Sequence, residues 1–188
     1  EGDVTRVIGV GHQVSRGVRA GAIVDMEAAA EAITNAVSAA EQIAGETLKS
    51  VVVGTSCGSP SSQTVAVDLA IAGHEVSDAD LRRVTGNGRA LQSMPARRLL
   101  HAIPVSYSID GSRGIRDPRG MCGERLGVNM HLVSADAGAM RNLEAVIGRC
   151  HLDVENFVVS PYAAGLASLV EDEMDLGVTV VDLGGGVT

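Results

Sequence analysis

Ala28, Ala29, Ala32, Ile33, Ala36, Val37, Ala40 and Ile43 recur at spacings of three and four, and a β-branched run, SVVVGT (50–55), follows shortly after. The first pattern predicts an amphipathic helix and the second a buried strand. Asp25 stands where an N-cap belongs and Gly45 where a helix stops. With VIGVG (7–11) read as an opening strand, the order is strand, helix, strand, which begins an α/β domain. Aromatic residues make up 2% of the chain and Trp is absent, so the core must be built from Ala, Val, Leu and Ile. So few aromatics argue against base stacking on aromatic platforms, and the net charge of −8 argues against nucleic acid as the main partner.

No apolar run reaches the roughly 18–20 residues that a membrane span needs, and EGDVTRVIGV lacks the charged-then-apolar order of a signal peptide. Cys57, Cys122 and Cys150 are odd in number, widely spaced and without a CxxC pair, which predicts buried free thiols. The first residue is Glu1 and the chain opens directly on an apolar run, so a fragment of a longer protein is expected.

From about Gln63 the texture changes. TVAVDLAIA (64–72) reads as a strand, and Ser77 as the cap of a helix beginning DADLRRV (78–84). LLHAIPVSYSI (99–109) reads as a second strand, in which Pro104 implies an edge or a bulge. A long loop, DGSRGIRDPRGMCGE (110–124), precedes a third strand, VNMHLVSA (128–135). TGNG (85–88) places two glycines in the helix, each costing roughly 1 kcal/mol relative to Ala, so a frayed or kinked helix is expected. Between Ser59 and Ala135 nine arginines face seven acidic residues, a net of +2, whereas the remainder carries a net of −10. Such asymmetry marks a more basic subdomain inserted into an acidic one.

Beyond it, Asp136 is placed to cap a helix carrying Met140, Leu143, Val146 and Ile147. VENFVVS (154–160) reads as a strand and PYAAGLASLV (161–170) as a helix with proline first. The chain ends VTVVDLGGGVT (178–188), an apolar run expected to be a strand entering a glycine turn. Successive bare N–H groups make an anion-binding concavity, and an Asp at the strand mouth suits a hydrated Mg²⁺. An ordinary hairpin with a glycine tip fits the same residues.

The segments GHEVSDADLRRV (73–84), HAIPVSYSIDGSRGIRDPRGM (101–121), RLGVNMHLVSADAGAMRNL (125–143) and LGVTVVDLGGGVT (176–188) resemble the bacterial cell-division FtsA family. The resemblance runs from Val7 to Thr188 and is most specific in the inserted part. It implies an α/β, actin-like (ribonuclease H-like) first lobe interrupted by an α+β strand-helix-strand-strand subdomain. The implied divisions are residues 1–58, first lobe; 59–135, insertion; 136–176, return with a connecting helix; and 177–188, start of a second lobe. It further implies ATP and Mg²⁺ as cofactors, with Gly184, Gly185, Gly186 and Thr188 on the phosphates and Asp182 on Mg²⁺ through water.

By the same resemblance, the whole protein would polymerise head to tail and tether FtsZ to the inner face of the membrane. A C-terminal helix absent here would serve as its anchor, and later division proteins would be recruited through the insertion. ATP turnover is expected to be weak at most, and absent from this segment alone. CGSPSSQ (57–63) departs from the expected Ser-Gly-Gly-type turn. Rival readings are an actin-like type IV pilus assembly component and an interaction module that binds no nucleotide.

Arg82, Arg83 and Arg89 on the predicted helix, with Arg113, Arg116 and Arg119 in the long loop, are the candidate protein-contact surface. Local ion pairs such as Asp80 with Arg83 are the competing use of these charges. His12, His74, His101, His131 and His151 share no metal-ligand spacing, and Ser56, Ser61 and Ser62 lack a supporting base for nucleophilic chemistry.

Overall fold

The computed structural model describes residues 6–91 and 95–184. The chain divides into two compact units, Glu1–Gly58 with Gly138–Thr188, and Ser59–Ala137. In chain order the first unit opens with β1 (Val18–Arg19), β2 (Ala22–Ile23), α1 (Met26–Ala44) and β3 (Ser50–Thr55). The second holds β4 (Ser61–Ala70), α2 (Asp78–Ala90), β5 (Arg97–Ile109), β6 (Ser112–Ile115) and β7 (Arg125–Asp136). α3 (Ala137–Arg149), β8 (Asp153–Val159), α4 (Ser160–Ser168) and α5 (Glu171–Leu176) complete the chain.

In the first unit α1 is closed at both ends as its sequence predicts. The Asp25 carboxylate accepts from the N–H groups of Glu27 (3.0 Å) and Ala28 (3.1 Å). Gly45 takes the left-handed conformation and donates its N–H to the Glu41 carbonyl at 2.8 Å. β3 and β8 pair in parallel, Thr55 opposite Val159, an arrangement that requires a long crossover between them. Ala29, Ile33 and Val37 of α1 meet Val146 and Ile147 of α3, with Val51, Val53 and Val154 from the sheet. This aliphatic core is what a chain nearly free of aromatics must build.

The second unit is an antiparallel sheet in the order β4-β7-β5-β6, with α2 packed against β4 and β7. Alternation along β7 places Leu126, Val128, Met130 and Leu132 on one face, all fully buried with Leu81 and Val84 of α2. Each such side chain contributes about 1.5–3 kcal/mol on leaving water. α2 begins with a capping box: Ser77 Oγ accepts from the Asp80 N–H while the Asp80 carboxylate accepts from the Ser77 N–H. One residue ties the neck of this unit. Arg97 donates to the Ser59 carbonyl (3.1 Å), Ser61 Oγ (2.8 Å), Ser134 Oγ (3.0 Å) and the Ser134 carbonyl (2.6 Å).

Several expectations are corrected here. VIGVG (7–11) forms no strand; Gly9 and Gly11 press against the Ala40 and Ala36 carbonyls of α1, so the segment lies along the helix. Residues 178–181 form no strand either, because no described strand pairs with them, and Val178 is 50% exposed. α2 runs unbroken through Gly86 and Gly88. A Cβ on Gly88 would overlap the buried Met130 thioether, so this glycine permits close helix-on-sheet packing. The loop at 110–124 contains β6, joined to β5 by the two-residue turn Asp110–Gly111 with φ of 48° and 88°. Cys57 is buried, but Cys150 is only partly so and Cys122, bridged to Glu75 at the surface, is exposed.

Candidate functional site

Two candidate sites arise from the sequence, one in each unit. In the first unit Val180, in the segment leading to the glycines, lies beside α4; a Cβ on Gly165 would stand 3.8 Å from the Val180 side chain. The Asp182 side chain is half-buried, and among the described residues no hydrogen bond or ion pair engages it. Gly184 is exposed. Gly185, Gly186 and Thr188 lie outside the described residues. A half-buried carboxylate with no neutralising cation among the described residues is the type of oxygen ligand that suits a hydrated Mg²⁺.

In the second unit the six arginines do not act alike. Arg82, Arg83 and Arg89 are exposed on α2. Arg83 reaches the Asp80 carboxylate at 3.6 Å, the i,i+3 pair expected from the sequence. Arg119 is already held: it donates to Asp78 at 2.7 Å and to Asp117 at 2.8 Å. These hydrogen bonds, Asp78 first, hold the Arg119 guanidinium above its ordinary pKa, and the Arg119 backbone N–H, then its guanidinium, draw Asp117 below the usual carboxylate range. Arg116 is exposed in the loop after β6. Arg113, in β6, is exposed, with no hydrogen bond or ion pair among the described residues.

Asp80 is the most committed acid of this unit. It is 3% exposed and accepts from Ser77 Oγ (2.6 Å), the Ser77 N–H (3.0 Å) and His74 Nε2 (3.1 Å). The Ser77 hydroxyl and backbone, then His74, hold its pKa down to about 2. Its chemistry is spent on closing α2 and joining it to the loop before it. His101 and His131 lie in the sheet, and burial lowers the pKa of His101.

Sequence reasoning missed a further cluster. Asp68 of β4 pairs with Arg125 of β7 at 3.2 Å, beside Ser108 and Asn129 on the sheet face opposite α2. Its one signal was the alternation of β4, which puts the lone acid Asp68 on the face away from Val65, Val67 and Leu69.

Residues 57–134 match the family model of the SHS2 domain inserted in FtsA. The chain is 45% identical over 182 residues to the cell division protein FtsA of Agrobacterium fabrum, covering 97% of this chain and 41% of that protein. Identity is 36% over 182 residues to FtsA of Pseudomonas aeruginosa and 32% over 183 residues to FtsA of Escherichia coli. Each match covers 97% of this chain and 44% of the relative. The chain thus spans less than half the length of the curated relatives it matches.

Proposed function

Because the chain belongs to the FtsA family of bacterial cell-division proteins, we propose that it supplies the first lobe of an actin-like nucleotide-binding scaffold and the unit through which that scaffold contacts other division proteins. The observation that carries the second half is the build of residues 59–137. They close a core of their own around β7, and Arg97 ties the entering and leaving strands together. Arg82, Arg83 and Arg89 are exposed on α2, Arg113 on β6 and Arg116 in the loop after it, and these are the residues proposed to contact partners; Arg119 is held by Asp78 and Asp117.

In the nucleotide half, Asp182 would hold Mg²⁺ through water, and Gly184, Gly185, Gly186 and Thr188 the β- and γ-phosphates. The bound metal would neutralise phosphate charge. An actin-like site clamps its nucleotide between two lobes, so one lobe alone turns over no ATP. The whole protein would polymerise, hold FtsZ at the inner face of the cell membrane and recruit later division proteins. No helix among the described residues is long and apolar enough to cross a membrane.

The nucleotide reading is tested on the chain extended through the residues that follow Thr188 in its relatives. ATP binding is measured by calorimetry with and without Mg²⁺, in wild type and Asp182→Ala. Mg²⁺-dependent binding lost in the variant supports it; a well-folded extended protein that binds no ATP refutes it.

A further inference from the structure

The sheet of the second unit has two unlike faces. One is sealed by α2; the other carries a polar cavity of about 360 Å³ near the β5–β6 turn. Cross-strand register explains its shape. Asp68 of β4, Gly127 of β7 and Ser108 of β5 stand in one row, with Ala66, Asn129 and Ser106 in the next. The middle of the first row is a glycine. A Cβ there would overlap Ser108 Oγ and lie 2.6 Å from Asp68 Oδ1, so both polar groups lean over a bare Cα, and Asp68, Ser108 and Asn129 line the cavity beside it.

Arg113, projecting from β6, and Arg125 flank this opening. Arg125 uses Nη2 on Asp68 Oδ2 at 3.2 Å, while Arg113 has no partner among the described residues. Asn129 donates one amide N–H to Ser106 Oγ at 3.2 Å and keeps the other. Among the side chains that line the cavity, two guanidinium groups and one carboxylate leave a charge of +1, which a single carboxylate neutralises. A phosphate, with nearly two charges, would meet Asp68 unfavourably. Asp68 Oδ1 in turn calls for an N–H donor beside the bound anion.

A carboxylate with a neighbouring N–H is an acidic residue within a peptide. We propose that this cavity binds the side chain of an Asp or Glu on a partner polypeptide: Arg113 and Arg125 take the carboxylate, and Asp68 takes a peptide N–H of the same segment. The site rests on the reading of residues 59–137 as the partner-contact unit and narrows it from an arginine-rich surface to one cavity.

The test is an NMR titration of the ¹⁵N-labelled chain with N-acetyl-glutamate N-methylamide, its glutamine counterpart and acetate, all at constant ionic strength. The expected result is saturable shifts at the Gly127 N–H, the Asn129 side-chain amide and Arg113 Nε with the glutamate compound alone. Arg113→Ala should weaken binding about tenfold. Arg119→Ala, whose guanidinium is engaged elsewhere, should leave binding unchanged. Equal shifts with the glutamine compound or with acetate would overturn the proposal, as would full binding by Arg113→Ala. A cavity silent to every probe, in a protein whose partner capture still depends on Arg82, Arg83 and Arg89, would refute the carboxylate site and leave the contact surface standing.

Discussion

Replacing Arg97 with Ala removes four hydrogen bonds at the neck of the second unit, to Ser59, Ser61 and both oxygens of Ser134. Their contributions do not sum, because one guanidinium is desolvated once for all of them. A charge-assisted hydrogen bond nets about 1.5–3 kcal/mol, and a buried acceptor stripped of its donor costs about 1–3 kcal/mol. Ser134 is 1% exposed, whereas Arg97 itself is only half-buried, so a loss of about 2–4 kcal/mol is expected. Arg97→Lys keeps the charge but not the planar fork and should recover about half of that. With no Trp in the chain, urea unfolding is best followed by far-ultraviolet circular dichroism. Hydrogen exchange of the amides at 61–63 and 134–136 should accelerate roughly 30- to 1,000-fold. An Arg97→Ala variant within about 0.5 kcal/mol of wild type, or a Lys variant indistinguishable from it, would refute the clasp.

The two glycines of α2 should respond in opposite directions. Gly86 has open space around it, so Gly86→Ala should stabilise by about 0.5–1 kcal/mol, whereas Gly88→Val should destabilise by about 2–3 kcal/mol against buried Met130; thermal unfolding reads both. Ser77→Ala breaks the capping box and should cost about 1–2 kcal/mol in urea, while NMR titration should find the Asp80 pKa risen toward its ordinary value. Asp80 titrates at about 2 in the fold against an ordinary 3.8, so it binds its proton more weakly when folded. The stability it lends is full above about pH 4 and is lost as pH falls toward about 2, and the Ser77→Ala variant should show a shallower acid decline over that window. Arg119→Ala should leave stability nearly unchanged in the same assay, because Asp78 and Asp117 are as exposed as it is.

Local signals carried much of the fold. Asp25, Gly45 and Ser77 are caps whose partners lie within four residues, and each is found in that role. The alternation of β4 and β7 needed no partner to be legible, and the register shift at Pro104 in β5 follows from its missing N–H. What stayed hidden depends on residues distant in sequence. VIGVG (7–11) and VTVV (178–181) have strand composition, yet a strand is defined by its neighbour, and none of the described strands pairs with either. Gly88 looked like a weak point in a helix until Met130, 42 positions away, was seen beneath it.

The arginines teach the same lesson at the site. Arg113 and Arg119 stand six residues apart in one loop sequence, and only the fold, by bringing Asp78 to Arg119, separates a used charge from a free one. Gly127 carried no signal at all; its meaning comes from Asp68 and Ser108 on the two flanking strands.

The proposed function divides two tasks, nucleotide binding by the scaffold and partner contact by the inserted unit. It is tested most directly in the protein extended to the length of its relatives, with residues 59–137 excised and Gly58 joined to Gly138 through a short linker. ATP binding and capture of division proteins are then measured on the same preparation. The expected result is Mg²⁺-dependent ATP binding close to wild type together with loss of capture. Undiminished capture by a folded protein without residues 59–137 would contradict it.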